Sequence, residues 1–284
     1  MQYRRILTVQ DISCLGQCSM TVALPILSAA GVETAVIPTA LLSTHTAFKQ
    51  FEFFDLTDKI QPIADHLHKE GFEFDAIYTG YLGSFEQLRT VSDFIDRFGN
   101  EGNLVVIDPV MGDNGKLYSG FDRTFADSMA KLCRKADIII PNLTEGAFLL
   151  GLDEVPQICD VDTVADMLKR LTDLGPRVAV MTGVSNDDGQ LGAMGYDSRT
   201  GNYFGSFCEH IQATFHGTGD IFASAFVGAV LGGAPIDEAV ETAVQFTSRS
   251  IKATVEDEDG RWYGVNFEAA LGWYINRLKG AENG

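Results

Sequence analysis

A chain of 284 residues, 45% hydrophobic and 21% charged, carries enough apolar side chains for a full core and lacks the composition of a disordered or fibrous sequence. Its formal net charge of −18 repels nucleic acids and anionic membranes, so neither is an expected partner. Strands and helices then alternate along the chain. Residues 6–9 predict a buried strand, an apolar run too short for a signal peptide or a membrane span. Residues 19–30 predict a helix ended by Gly31 and kinked at Pro25. A second strand over 34–38 and an amphipathic helix over 56–70 follow. Residues 76–79 predict a strand, and a helix begins at Ser84, where Ser84 and Gln87 have the spacing of a capping box. A strand over 104–107 closes at Asp108-Pro109. A helix over 122–134 leads into a strand over 137–140, closed by Pro141. A helix over 161–174 and a strand over 178–182 come next. The short strands 192–196 and 203–207, joined by a polar turn, predict an antiparallel hairpin. Helices over 217–231, 236–254 and 266–279 complete the chain; disorder is expected only at 281–284.

Repeated strand–helix units predict an α/β fold: a central, mostly parallel sheet with helices on both faces and a small appended hairpin. No linker or repeat divides the sequence, so residues 1–284 are expected to form one domain. In such sheets ligands bind beyond the carboxyl ends of the strands. The five cysteines, Cys14, Cys18, Cys133, Cys159 and Cys208, are odd in number and contain no CxxC pair. This argues against a disulfide framework or structural zinc and for a reducing cytoplasm.

The segment richest in chemistry is His216-Gly217-Thr218-Gly219-Asp220, directly before the apolar run 221–230. Two glycines at a helix entry allow a tight turn and leave amides facing a ligand, and a helix N-terminus favours anions. Asp220 then stands beside that anion, where a carboxylate can take a proton from a hydroxyl attacking a phosphoryl group. The alternative is a glycine turn with Asp220 as a helix-end charge. The loop is not a Walker A loop, and no GxGxxG follows the first strand.

Six segments in order carry a resemblance. They are Val9-Gln10 with Gly16, Ser43-Thr44-His45-Thr46, and Gly80-Tyr81-Leu82-Gly83-Ser84. Then come Asp108-Pro109-Val110-Met111-Gly112, Pro141-Asn142 with Glu145, and Gly217 to Asp220. With these the chain resembles, nearly end to end, the pyridoxal kinase branch of the ribokinase-like superfamily. The resemblance implies ATP-dependent phosphorylation of the 5′-hydroxymethyl of a vitamin B6 vitamer, with Asp220 as base and the Gly217, Thr218 and Gly219 amides steadying the phosphoryl group. It implies a nucleotide site at Asp108, Asn142, Glu145 and Thr182, and Mg²⁺ near Asp108 and Glu145, the latter acting through water. Asp113 and Tyr118 match positions linked in some relatives to a monovalent cation. Thr46 and Tyr81 map to the vitamer pocket, and Asp11 stands where relatives commonly carry a serine that contacts the vitamer. Family analogy also implies a homodimer.

Bland readings stand beside these. Asn142 and Glu145 form an acceptable capping box, Tyr81 suits core packing, and His45 braces its loop without chemistry. Segment 48–54, with four phenylalanines, is open to three readings: a lid, a dimer surface or buried packing. Cys14 and Cys18 are expected to be inert thiols near the pocket. The competing functions are a hydroxymethylpyrimidine kinase, which shares the fold and the Gly-Thr-Gly segment, and a non-catalytic vitamer-binding protein.

Overall fold

A computed structural model describes residues 4–98, 102–156, 160–186, 188–213 and 215–280. The tail 281–284 and Cys159 lie outside the described residues. In chain order the elements are β1 (Arg4–Leu15), α1 (Met20–Ala29), β2 (Val32–Thr44), β3 (Phe53–Asp55), α2 (Thr57–Lys69), β4 (Ala76–Thr79), α3 (Phe85–Phe98) and β5 (Leu104–Ile107). Next come β6 (Gly112–Asp113), β7 (Lys116–Leu117), α4 (Arg123–Cys133), β8 (Ile138–Ile139), α5 (Leu143–Leu149), α6 (Val161–Asp173) and β9 (Val178–Ser185). The chain ends with β10 (Leu191–Asp197), β11 (Asn202–Cys208), α7 (Thr218–Leu231), α8 (Ile236–Val255), a 3₁₀ turn (Phe267–Ala270) and α9 (Leu271–Leu278).

Nine strands form one sheet in the order β11-β10-β9-β8-β5-β4-β1-β2-β3. The strands from β9 to β2 run parallel, while β10 and β11 at one edge and β3 at the other are antiparallel additions. Both faces are covered, which is why the central strands are apolar on both sides. On β1, Ile6 points into the layer with α1, α7 and α8, and Leu7 and Val9 point into the layer with α2 to α6. The chain leaves β1 first for β2 on one side and then for β4 on the other, so the topological switch point lies at the carboxyl ends of β1 and β4.

The expected strand over 6–9 extends to Leu15 and the one over 34–38 to Thr44. Their outer halves pair with each other beyond the last β4 pairing, and β3 joins them, forming a flap that overhangs the switch point. A register shift between Gln10 and Ile12 divides sheet from flap and sits at Asp11. The Ser84–Gln87 box is altered: Gln87 N–H donates to Ser84 Oγ, but the Gln87 side chain accepts from Gly83 N–H rather than from Ser84. The expected last helix divides into the 3₁₀ turn and α9. No helix among the described residues is long and apolar enough to cross a membrane. The four described cysteines are free thiols.

Candidate active site

Beyond the carboxyl ends of β5, β8 and β9 opens a cavity of about 500 Å³. Asp108, Asn142, Glu145 and Thr182 line it together with Gly217, Thr218, Gly219 and Asp220. The segments expected to hold a nucleotide and to catalyse transfer therefore converge on one space.

Gly217 caps α7 at φ +83°, the left-handed region. A Cβ here would stand 1.9 Å from the Gln17 carbonyl oxygen, so glycine is required by conformation and by close approach. Gly219 differs: its φ is not positive, and a Cβ would meet nothing within 4 Å. The chain itself does not need glycine at 219, so of the two grounds for glycine, backbone conformation and room for an approaching phosphate, only the second applies there.

Asp220 follows in the first turn of α7, and its Oδ2 accepts the Ser19 amide at 2.9 Å. Burial lifts its pKa to about 7 against the lowering effect of that amide, with nearby Asp11 adding to the rise. Ser19 takes φ +50° and ψ −128°, a conformation costly for a residue with a Cβ. The cost delivers an amide to Asp220, and no sequence motif announced it.

Asp108 ends β5 beside Glu145 and Asp220, and burial followed by these like charges raises its pKa well above the usual range. Glu145 is pushed up to about 8 by burial, although it accepts the amides of Met111 at 3.1 Å and Asn142 at 2.9 Å. The Asn142 side chain is fully engaged too: Oδ1 accepts the Glu145 amide and Nδ2 donates to the Gly112 carbonyl, each at 2.9 Å. The reciprocal capping box is thus present and lies on the cavity wall. The box turns the start of α5 toward the cavity and fixes Glu145 there.

None of these three carboxylates has a Lys or Arg partner among the described residues. An oxygen-rich, uncompensated acidic wall fits a hard divalent cation. No three His, Cys, Asp or Glu side chains among the described residues form a ready-made cage.

The ionisations carry a stability consequence. Asp220 and Glu145 have folded-state values above the ordinary carboxylate range, so protonation favours the folded form. That contribution is complete below an unfolded value of about 4 and is lost as pH rises through about 7 and about 8. The Tm of the ligand-free protein should therefore fall between about pH 5 and about pH 8.5, and Asp220→Asn should flatten part of that fall. A parallel Tm profile in parent and variant would contradict this.

Asp113 and Tyr118 also reach the cavity, carried by the β6–β7 hairpin. Its two-residue turn, Asn114-Gly115, has φ +51° and +77°, the signature of a type I′ turn that these residue types favour. Burial, then Glu145 and Asp113, hold the Tyr118 phenol in its protonated form. Opposite, Thr182 lies where β9 bulges at Gly183, φ +73°. The residues that sequence reasoning missed are an apolar wall formed by Leu191, Ile211, Phe215, Val244 and Ile251, and the imidazole of His210; His216, from the glycine segment, lines the cavity too.

Three expected substrate residues do not line this cavity. Asp11 is buried at the β1 register shift, and burial raises its pKa against hydrogen bonds from the Ser19 and Ser13 side chains. Tyr81 lies within electrostatic reach of Asp11 and packs 5.8 Å from Phe121. Thr46 sits exposed at the tip of the flap. Asp11 and Tyr81 thus flank the switch point on the other side of Asp220. His45 braces its loop: Nε2–H donates to the Tyr263 carbonyl at 2.8 Å, and Nδ1 accepts the Ala47 amide at 3.2 Å. Segment 48–54 divides: Phe48 packs 4.6 Å from Trp262, whereas Phe51, Phe53 and Phe54 are exposed. Cys18 is pushed up to about 12 by burial and then by Asp220, which keeps it an inert thiol.

A doubly covered parallel sheet, with a glycine-framed helix entry presenting a carboxylate at its switch point, defines a kinase of the ribokinase-like class. The family model described as phosphomethylpyrimidine kinase matches residues 24–263, and the chain belongs to that family. Within the superfamily its place is the pyridoxal kinase branch. A Bacteroides thetaiotaomicron protein solved under the name phosphomethylpyrimidine kinase is 37% identical, with a TM-score of 0.92, covering 98% of this chain and 95% of its own. A second crystal form of it, with pyridoxal, is 38% identical with a TM-score of 0.91 over 96% of both chains. Pyridoxal kinase from Lactobacillus plantarum is 29% identical with a TM-score of 0.88 over 99% of both chains. The pyridoxine/pyridoxal/pyridoxamine kinase of Bordetella avium is 27% identical, covering 88% of this chain and 85% of its own.

Proposed function

We propose that this protein transfers the γ-phosphoryl group of ATP to the 5′-hydroxymethyl of vitamin B6 vitamers. One observation carries the reading: Asp220 stands at a glycine-framed helix entry between a nucleotide-sized cavity and the switch point that holds Asp11 and Tyr81. The Gly217, Thr218 and Gly219 amides steady the phosphoryl charge. Asp220 takes the hydroxyl proton, and a base that titrates near the working pH is well matched to that task. The apolar wall at Ile211, Val244 and Ile251 suits the adenine ring, with Thr182 at its edge. Asn142 acts by holding Glu145. Asp108 and Glu145 would hold Mg²⁺, which would supply neutralisation of the ATP phosphates. Asp113 and Tyr118 would supply oxygens to a monovalent cation.

Tyr81 and Thr46 bound the vitamer, with Thr46 approaching as the flap closes. Asp11 selects cationic vitamers, because a desolvated carboxylate attracts an ammonium or pyridinium group. Asp11→Ser should lower the pyridoxamine-to-pyridoxal ratio of kcat/KM roughly tenfold; an unchanged or higher ratio sinks that role. The whole chain works as one domain in the cytoplasm. It forms a homodimer, and the exposed Phe51, Phe53 and Phe54 on and beside edge strand β3 favour that assembly. Phosphoryl transfer separates from mere vitamer carriage in one assay: ATP consumption should depend on added vitamer. Vitamer binding without ATP consumption would leave a carrier protein.

A further inference from the structure

The loop between β1 and α1, residues 16–19, holds Asp220 from outside its own helix. The Ser19 amide donates to Asp220 Oδ2 at 2.9 Å, and the Gln17 carbonyl packs directly on Gly217. Ser19 aims its amide by keeping φ +50° and ψ −128°, and so uncommon a backbone persists only where the surroundings over-determine it. Part of that restraint is local: the Thr21 hydroxyl is shared between the Gly16 and Cys18 carbonyls, at 2.9 and 2.8 Å. The rest comes from the far end of the chain. Gln17 Nε2 donates to both carboxylate oxygens of Glu268, at 2.7 and 2.9 Å. The stem of Gln17 lies against Gly264, where a Cβ would stand 2.7 Å from the Gln17 Cβ.

Segment 263–268 is itself pinned. Val265 and Phe267 are buried in the core, and the Asn266 amide donates to Thr254 Oγ1, at the end of α8, at 2.8 Å. The Tyr263 carbonyl accepts His45 from the base of the flap at 2.8 Å. One anchored stretch thus grips both the flap and the loop that braces Asp220. Neither Gln17 nor Glu268 lines the cavity, so neither acts by touching nucleotide. A hydrogen bond to an ionised acceptor is stronger than one between neutral groups, which suits this pair to holding a strained loop. We propose that Gln17 and Glu268 are positioning residues: their contact clamps loop 16–19 so that the Ser19 amide keeps Asp220 in one orientation toward the attacking hydroxyl. This inference rests on the vitamer kinase reading above.

Glu268 is exposed, so Glu268→Ala removes the carboxylate without opening the core. Its kcat for pyridoxal should fall roughly fivefold, with KM for Mg-ATP within about twofold of the parent. Glu268→Gln keeps an oxygen that accepts Gln17 Nε2, and its kcat should stay within about twofold of the parent. Amide hydrogen exchange followed by NMR reads the clamp without turnover. The Ser19 amide should exchange at least about tenfold faster in Glu268→Ala than in the parent or in Glu268→Gln, while the Ile77 amide of β4 exchanges alike in all three. Parental kcat or parental Ser19 exchange in Glu268→Ala overturns the inference. So does a Glu268→Gln protein as impaired as Glu268→Ala, or a kcat loss accompanied by an equal rise in KM for Mg-ATP. A parent inactive on every vitamer refutes the vitamer assignment instead, and Ser19 exchange still decides the clamp.

Discussion

Asp220→Asn will lower kcat by roughly 10²–10⁴-fold, the range expected when a general base is removed. Asparagine keeps the volume and can still accept the Ser19 amide through its carbonyl oxygen, so the loop that joins Asp220 to the start of α1 stays in place. It cannot take a proton from the attacking hydroxyl. ATP affinity should change by no more than a few-fold, because the amides of Gly217 to Gly219 and the Asp108–Glu145 wall are untouched. Tm at neutral pH should rise, since burying Asp220 as an anion opposes folding. Steady-state kinetics, titration calorimetry with Mg-ATP and a melting curve check the three parts together. Turnover above half the parent value would show that Asp220 is not the base.

Gly217→Ala and Gly219→Ala should fail in different ways. At 217 the new methyl meets the Gln17 carbonyl at 1.9 Å in a left-handed backbone. Overpacking against backbone costs about 1–3 kcal/mol, with about 1–2 kcal/mol more for the conformation. The Gln17 segment leads directly to Ser19, so the strain spreads to the amide that holds Asp220. Loss of both Tm and turnover is expected. At 219 the methyl has open space, so Tm should hold within about 2 °C. Turnover should still fall at least about tenfold if phosphate approaches the amide closely. A folded and fully active Gly219→Ala protein would remove this glycine from the cradle, whereas a stable Gly217→Ala protein would contradict the geometry of the loop.

The pattern of apolar runs carried most of the sheet. Strands β4 and β5 match their sequence expectation residue for residue because each is a short buried run bounded by turn residues. The outer half of β1 escaped that pattern. It contains Asp11, Ser13 and Cys14, residues that do not suggest a strand; they are extended because β2 pairs with them outside the main sheet. The β6–β7 hairpin was legible in principle, since Asn114-Gly115 is a strong two-residue turn signal, but its strands are two residues long and carry no alternation. The site was legible where chemistry is local in sequence, as in Gly217 to Asp220. It was hidden where the fold builds it from distant pieces. Ser19 supplies only a backbone amide, and the apolar wall draws on β10, the segment after β11, and α8.

The central question is which hydroxyl receives the phosphoryl group. Purified protein with Mg-ATP should be presented with pyridoxal, pyridoxamine, pyridoxine and hydroxymethylpyrimidine, and kcat/KM measured for each with the product identified by mass. The predicted products are 5′-phosphorylated B6 vitamers, with at least one vitamer exceeding hydroxymethylpyrimidine by at least about tenfold, a transition-state difference of about 1.4 kcal/mol. Preference for hydroxymethylpyrimidine over every vitamer, or no phosphorylated product from any of the four, would contradict the vitamer kinase assignment.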